Sequence, residues 1–149
     1  MRYSLELRSF IDAIESSDFY EGDYGDCISD VEFILKGVDA LDRSGVPAEY
    51  LRFLAEFGFG ELDSAFYVDD GPVKYASISD RNVEGGEGLY VFAGNSSDLL
   101  YAFDAKNSWR IVAVSAESDE VEVVSEDFSD FILDKVRYVK ELVDWRENN

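Results

Sequence analysis

The sequence contains no histidine. That absence removes Ser–His and Cys–His nucleophile pairs, histidine general bases and histidine-bearing zinc sites. Cysteine occurs once, at Cys27, so no intrachain disulfide can form, and a reducing compartment, the cytoplasm, is the expected setting. Asp26 stands beside Cys27 with no cation nearby in sequence, which disfavours a reactive thiolate; Cys27 reads as an inert, buried or half-buried side chain. Long apolar runs are missing as well. The longest, such as Leu89 to Ala93, fall far short of the ~20 residues that a membrane helix needs. The opening, Met1-Arg2-Tyr3-Ser4-Leu5-Glu6, carries charge where a signal peptide requires an apolar stretch. Basic residues are scarce: 13 Lys and Arg stand against 33 Asp and Glu, for a net charge of −20. Phosphate contacts need clustered Lys and Arg, so nucleic acid is a disfavoured partner, and an anionic membrane surface is disfavoured on the same ground.

What is present points to a folded chain. Its 149 residues suit one domain, and a hydrophobic fraction of 46% with eleven Phe, nine Tyr and two Trp can supply a core despite the charge. The acids are not spread evenly. Residues 10–35 hold Asp12, Glu15, Asp18, Glu21, Asp23, Asp26, Asp30 and Glu32 with no Lys or Arg. Residues 111–134 hold Glu117, Asp119, Glu120, Glu122, Glu126, Asp127, Asp130 and Asp134, again with none. A merely solubilising surface usually mixes the signs, whereas one-signed windows suit a basic partner; charge alone leaves both readings open.

Periodicity divides the chain into helices, strands and a final helix. Leu7, Phe10, Ile11 and Ile14 predict a helix over residues 5–17, and residues 18–26 read as an acidic loop. Ser29-Asp30-Val31-Glu32 has the form of a capping box, followed on one face by Val31, Ile34, Leu35, Val38 and Leu41. Pro47 suits the first turn of a third helix, whose apolar face is Tyr50, Leu51, Phe53, Leu54 and Phe57 and which Gly58 and Gly60 stop. From residue 62 the period becomes two. The expected strands are 64–69, 73–79, 89–94, 98–104, 109–115 and 120–124, with Asp70-Gly71-Pro72 as a hairpin turn. In the last strand Glu120 and Glu122 alternate with Val121 and Val123, so the valines are expected to face the core. Residues 127–145 close the chain as a helix with a stripe of Phe128, Phe131, Ile132, Val136, Val139, Leu142 and Val143. This order predicts an α+β fold: one compact domain, with a largely antiparallel mixed sheet of about six strands flanked by N-terminal helices and a C-terminal helix.

Three stretches carry a family resemblance: Val46-Pro47 through Gly58-Phe59-Gly60, Phe92-Ala93-Gly94-Asn95 through Asp98 to Asp104, and Val124 through Phe128 to Ile132. Taken in order, they resemble the SUKH superfamily, which includes fungal cell-wall-assembly regulators and bacterial toxin-immunity proteins. The resemblance covers residues 28–145 and leaves residues 1–27, the first helix and acidic loop, outside its core pattern, so the SUKH-like part is taken as 28–149. Ser97 stands where the family often has glycine. The resemblance implies a mixed sheet flanked by helices, and a non-catalytic role in binding a protein partner, chiefly a toxin and often a nuclease. It gives Pro47, Tyr50, Phe53, Leu54, Gly58, Gly60, Asp98, Asp104 and Phe128 as motif positions with structural roles.

Little else in the sequence suggests chemistry. A carboxylate-based hydrolase would need two carboxyl groups ~5–10 Å apart. Asp98 and Asp104 are the best candidates by motif, although a turn acceptor and a strand-end cap are the more ordinary roles. Residues 18–26 lack the ligand alternation of a calcium loop, and Gly85-Gly86-Glu87-Gly88 lacks the following Lys of a phosphate cradle. Asn95-Ser96-Ser97 matches a glycosylation acceptor only by composition. No cofactor or metal is expected. The leading expectation is an immunity protein that binds a basic toxin domain through Glu117, Asp119, Glu120, Glu122, Glu126 and Asp127. A regulatory scaffold that binds a peptide or another protein is the alternative, and a hydrolase the distant one.

Overall fold

The computed structural model describes every residue from Met1 to Asn149. Helix α1 (Ser4–Glu15) precedes a short helix α2 (Val31–Ile34), a 3-10 turn (Arg43–Gly45) and helix α3 (Ala48–Glu56). The strands are β1 (Gly60–Asp63), β2 (Phe66–Lys74), β3 (Leu89–Gly94), β4 (Leu100–Asp104), β5 (Arg110–Val114) and β6 (Glu122–Ser125). Helix α4 (Tyr75–Ile78) interrupts them after β2, and helix α5 (Phe128–Glu147) ends the fold. The six strands lie in chain order in one sheet, and every neighbouring pair is antiparallel. The expected α+β class therefore holds, with a simple meander for its sheet.

One face of the sheet is covered by helices. Phe66, Val68, Tyr90, Phe92, Tyr101, Phe103, Ile111 and Ala113 join Leu7, Ile11 and Ile14 of α1, Tyr50, Phe53 and Leu54 of α3, and the stripe of α5 in one core. Its centre is aromatic: Phe92 stacks on Phe103 at 4.1 Å between centroids, and Tyr50 meets Phe92, Phe103 and Phe128 edge-on at 5.1–5.7 Å. Helix α1 packs directly on α5, so residues 1–27 are built into the same core as the rest. The opposite face carries no helix longer than the single turn of α4. There Leu89, Val91, Ala102, Val112 and Val114 are covered by Tyr75 and Val83 from the connection between β2 and β3.

Several expectations fail locally, among them the strand expected at 73–79, whose first two residues end β2 while 75–78 form α4. The helix predicted through Leu41 ends after one turn; Ile34, Leu35 and Val38 are buried, but Val31 and Leu41 are exposed. Its cap is Asp30, whose side chain accepts from the Phe33 N–H at 3.2 Å, in place of Ser29. Asp70-Gly71-Pro72 is no hairpin turn but the interior of β2. β1 pairs only with residues 66–68, so beyond them β2 borders residues 34–37. A Cβ on Gly71 would sit 2.3 Å from the Ile34 carbonyl oxygen, and one on Gly37 2.5 Å from that of Pro72. The register to β3 shifts between Val68 and Val73, which spares Pro72, lacking an N–H, from a ladder bond. Finally, the sheet begins before the expected strand at 64–69: β1 starts at Gly60, one of the two glycines expected to stop α3. Gly58 and Gly60 do make the turn: their φ angles are +93° and +122°, open to glycine alone without strain, and each backbone runs against Asp26 or Asp23.

No helix is long and apolar enough to cross a membrane.

Candidate partner-binding surface

The two acidic windows meet different fates in the fold. The first, residues 10–35, is largely occupied with structure. Asp23 accepts from the Glu61 N–H through Oδ1 at 2.7 Å, and its own N–H donates to the Glu61 carbonyl at 3.1 Å. The Asp26 carbonyl accepts from the Phe59 N–H at 3.0 Å and the Gly25 N–H donates to the Phe59 carbonyl at 3.0 Å, around an isolated antiparallel bridge. The acidic loop thus seals the outer edge of β1. Asp12 pairs with Arg8, Glu32 with Arg43, and Asp30 caps α2. Burial raises the pKa of Glu15, aided by Asp12.

The second window stays open. Arg81 holds its first half in place, donating to the carbonyls of Ser115 at 2.9 Å and Ser118 at 2.6 Å, while the Glu84 N–H donates to the Asp119 carbonyl at 2.8 Å. Asp119 is the ion partner of Arg81 at 3.4 Å. Asp127 is the N-cap of α5, accepting from the Asp130 N–H at 3.0 Å, and also pairs with Arg2. Glu117, Glu120, Glu122 and Glu126 are exposed and have no ion-pair partner. Of the six residues expected to contact a partner, these four are free to do so. The valines between them do not enter the main core. Val123 pairs with Val112 and so lies on the sheet's thinly covered face, where it is 44% exposed; Val121 packs beside it, half-buried. The strand itself begins at Glu122, two residues later than expected.

The motif carboxylates part company. Asp98 is exposed in a left-handed conformation, φ 64°, within the turn between β3 and β4. The acceptor that ties this turn is Asn95, whose Oδ1 takes the N–H groups of Ser97 at 2.9 Å and Leu99 at 3.2 Å. Asp104 is buried at the far end of β4, roughly 15–20 Å away by the rise of a strand. Its Oδ2 accepts from Asn107 Nδ2 at 2.9 Å and lies 3.5 Å from Arg110 Nε, while its carbonyl accepts from the Asn107 and Trp109 N–H groups. Asp104 caps the strand, and the two carboxylates share no cleft. The remaining motif positions, Pro47, Tyr50, Phe53, Leu54, Gly58, Gly60 and Phe128, all serve α3, its turn and the core. Cys27, expected to be at least half-buried, is exposed.

Other polar features were hidden from sequence reasoning. An open cleft of about 740 Å³ gathers Lys74, Arg81 and Lys106, three of the few cations, opposite Asp39, Asp42 and Glu87. Lys74 pairs with Asp39 at 2.8 Å and Lys106 with Glu87 at 2.9 Å. The Tyr90 hydroxyl donates to Asp42 at 2.5 Å; burial and this bond push its pKa up to about 12, so it stays a donor. Asp69, half-buried in β2, has its carboxyl pushed up to about 6 by desolvation and by Asp70. No group of His, Cys, Asp and Glu is arranged to hold a metal ion.

Compared with known proteins, the chain matches no protein-family model, no curated protein and no solved structure.

Proposed function

We propose that this chain is a non-catalytic, cytoplasmic immunity protein of the SUKH type, which caps a cognate basic toxin domain with its second acidic window. The observation that carries this reading is the run of Glu117, Glu120, Glu122 and Glu126 along the β5–β6 connection and β6: all four are exposed and unpaired, in a stretch with no Lys or Arg. Carboxylates left without cations inside the molecule are available for cations outside it. In this reading they pair with the Lys and Arg that a nuclease-type toxin uses to grip phosphate. Complementary charge of this kind chiefly raises the association rate and selects the partner, while a few apolar anchors set the residence time. The three sequence stretches that resemble SUKH proteins support the same role, and their residues act here as fold-forming groups, as a binding scaffold requires.

The test is coexpression with a toxin encoded beside this chain. The expected result is a stoichiometric complex and loss of toxicity, both reduced by reversing the charge of Glu120 and Glu122. Capture of other proteins without any protection would favour a regulatory scaffold. Turnover of a glycan or ester by the purified chain, lost in Asp98→Asn, would favour a hydrolase.

A further inference from the structure

The two edges of the sheet are finished differently. The outer edge of β1 is closed by residues 23–26, whose backbone and side chains take up the polar groups of Phe59 and Glu61. At the other end, Glu84 bridges Glu120 and donates its N–H to the Asp119 carbonyl at 2.8 Å, but this cover stops short of β6 itself. Outside its pairing with β5, the backbone of Glu122–Ser125 makes no hydrogen bond. An unpaired edge is a template for another strand, and natural proteins blunt such edges with charge, bulges and short length. β6 has four residues and a register irregularity toward its end, between Val123 and Ser125, and its guards are all acids. A guard of one sign is selective. It repels a second copy of this chain, which carries −20, and any acidic strand, yet attracts a cationic one. The edge is also apolar enough to hold a strand: Val123 is 44% exposed and Val124 37%.

We propose that the β6 edge receives an extended, Lys- or Arg-bearing segment of the protein partner, which adds to the sheet as a seventh strand. The proposal rests on the reading above that the partner is basic. The segment's main chain would bond to the free groups of Glu122–Ser125. Its apolar side chains would cover Val123 on one face and Val124, and its cations would meet Glu120, Glu122 and Glu126. Four residues provide only a few main-chain bonds, so backbone pairing fixes register and orientation while the flanking carboxylates and valines supply most of the affinity.

The test uses the full chain, isotope-labelled, titrated at low salt with a synthetic octapeptide of alternating lysine and valine. A second peptide of the same sequence carries N-methyl groups on alternate amides, which removes strand pairing and keeps the charge. The expected result is slowed exchange of the Glu122–Ser125 amides with the first peptide, and binding at least tenfold weaker with the second. Glu120→Lys with Glu122→Lys should weaken the first peptide at least as much, in a variant whose fold is checked by its spectrum. Equal binding of both peptides, with no protection in β6, overturns strand addition while leaving the basic-partner reading intact. Binding centred on another surface, or none, overturns strand addition too; whether the basic-partner reading falls with it is then decided by the toxin coexpression, which needs no strand pairing.

Discussion

Replacing Asp69 with Asn should make the protein more stable, and by an amount that depends on pH. Asp69 is half-buried in β2, next to Asp70, and its carboxylate has neither an ion-pair partner nor a hydrogen bond to soften its desolvation. Its pKa stands at about 6 instead of the ordinary 3.8. The folded state therefore binds this proton more tightly than the unfolded state does. A raised carboxyl pKa means that the ionised group opposes folding above about pH 6, and that this opposition fades as pH falls toward 4. The gap of about two logarithmic steps, at about 1.4 kcal/mol each, corresponds to about 3 kcal/mol at pH 8 and about half of that at pH 5. Asn keeps the shape and removes the charge. Urea unfolding followed by tryptophan fluorescence should thus show a gain of up to about 3 kcal/mol at pH 8 that roughly halves at pH 5, with an unchanged dependence on urea. Asp18→Asn, in an exposed loop, controls for the general relief of negative charge in so acidic a chain. Equal gains for both variants, or a gain for Asp69→Asn that does not change with pH, would refute the reasoning.

The hydroxyl of Tyr50 is buried without a hydrogen-bond partner, so Tyr50→Phe should be neutral or stabilising by up to about 1 kcal/mol in the same unfolding assay; a loss larger than that would show that the hydroxyl is satisfied. Phe53→Ala should lose about 3–5 kcal/mol, because it empties a fully buried site among Tyr50, Phe57 and Phe128, whereas exposed Glu120→Ala should lose almost nothing. Asp104→Ala should cost about 1–3 kcal/mol, because it removes the part-buried bond from Asn107 and the neighbour of Arg110 at the β4–β5 turn, and thermal melting that matches the wild type would contradict that role.

The sequence made the large features legible because they rest on period. The stripe of α5 and the aromatic face of α3 repeat at helical spacing, and each residue named for them is buried or nearly so. What escaped was set by contacts distant in sequence. Asp70-Gly71-Pro72 has ideal turn chemistry, yet the approach of residues 34–37 keeps it extended. The same contact ends α2 early. Asp69 stood at the end of an expected strand beside an expected turn, so nothing flagged it as a half-buried carboxyl. The acidic windows were visible as composition, but only the fold separates them: the first seals β1, and the second has Arg81 on one flank and an open edge on the other. The valine alternation was real, but the face it addresses is the one thinly covered by α4 and Val83.

In the proposed function, Glu120, Glu122 and their unpaired neighbours recruit a basic toxin. That recruitment is tested most directly by the association rate with the cognate toxin domain, measured by stopped flow at low and at physiological salt for the wild type and for Glu120→Lys with Glu122→Lys. The wild-type rate should fall steeply as salt shortens the Debye length to about 8 Å. The double variant should associate about tenfold or more slowly at low salt, show a flatter salt dependence and converge on the wild type as salt rises. Rates equal to the wild type at both salts, from a variant with intact fold, would contradict the claim that this edge is the recognition surface.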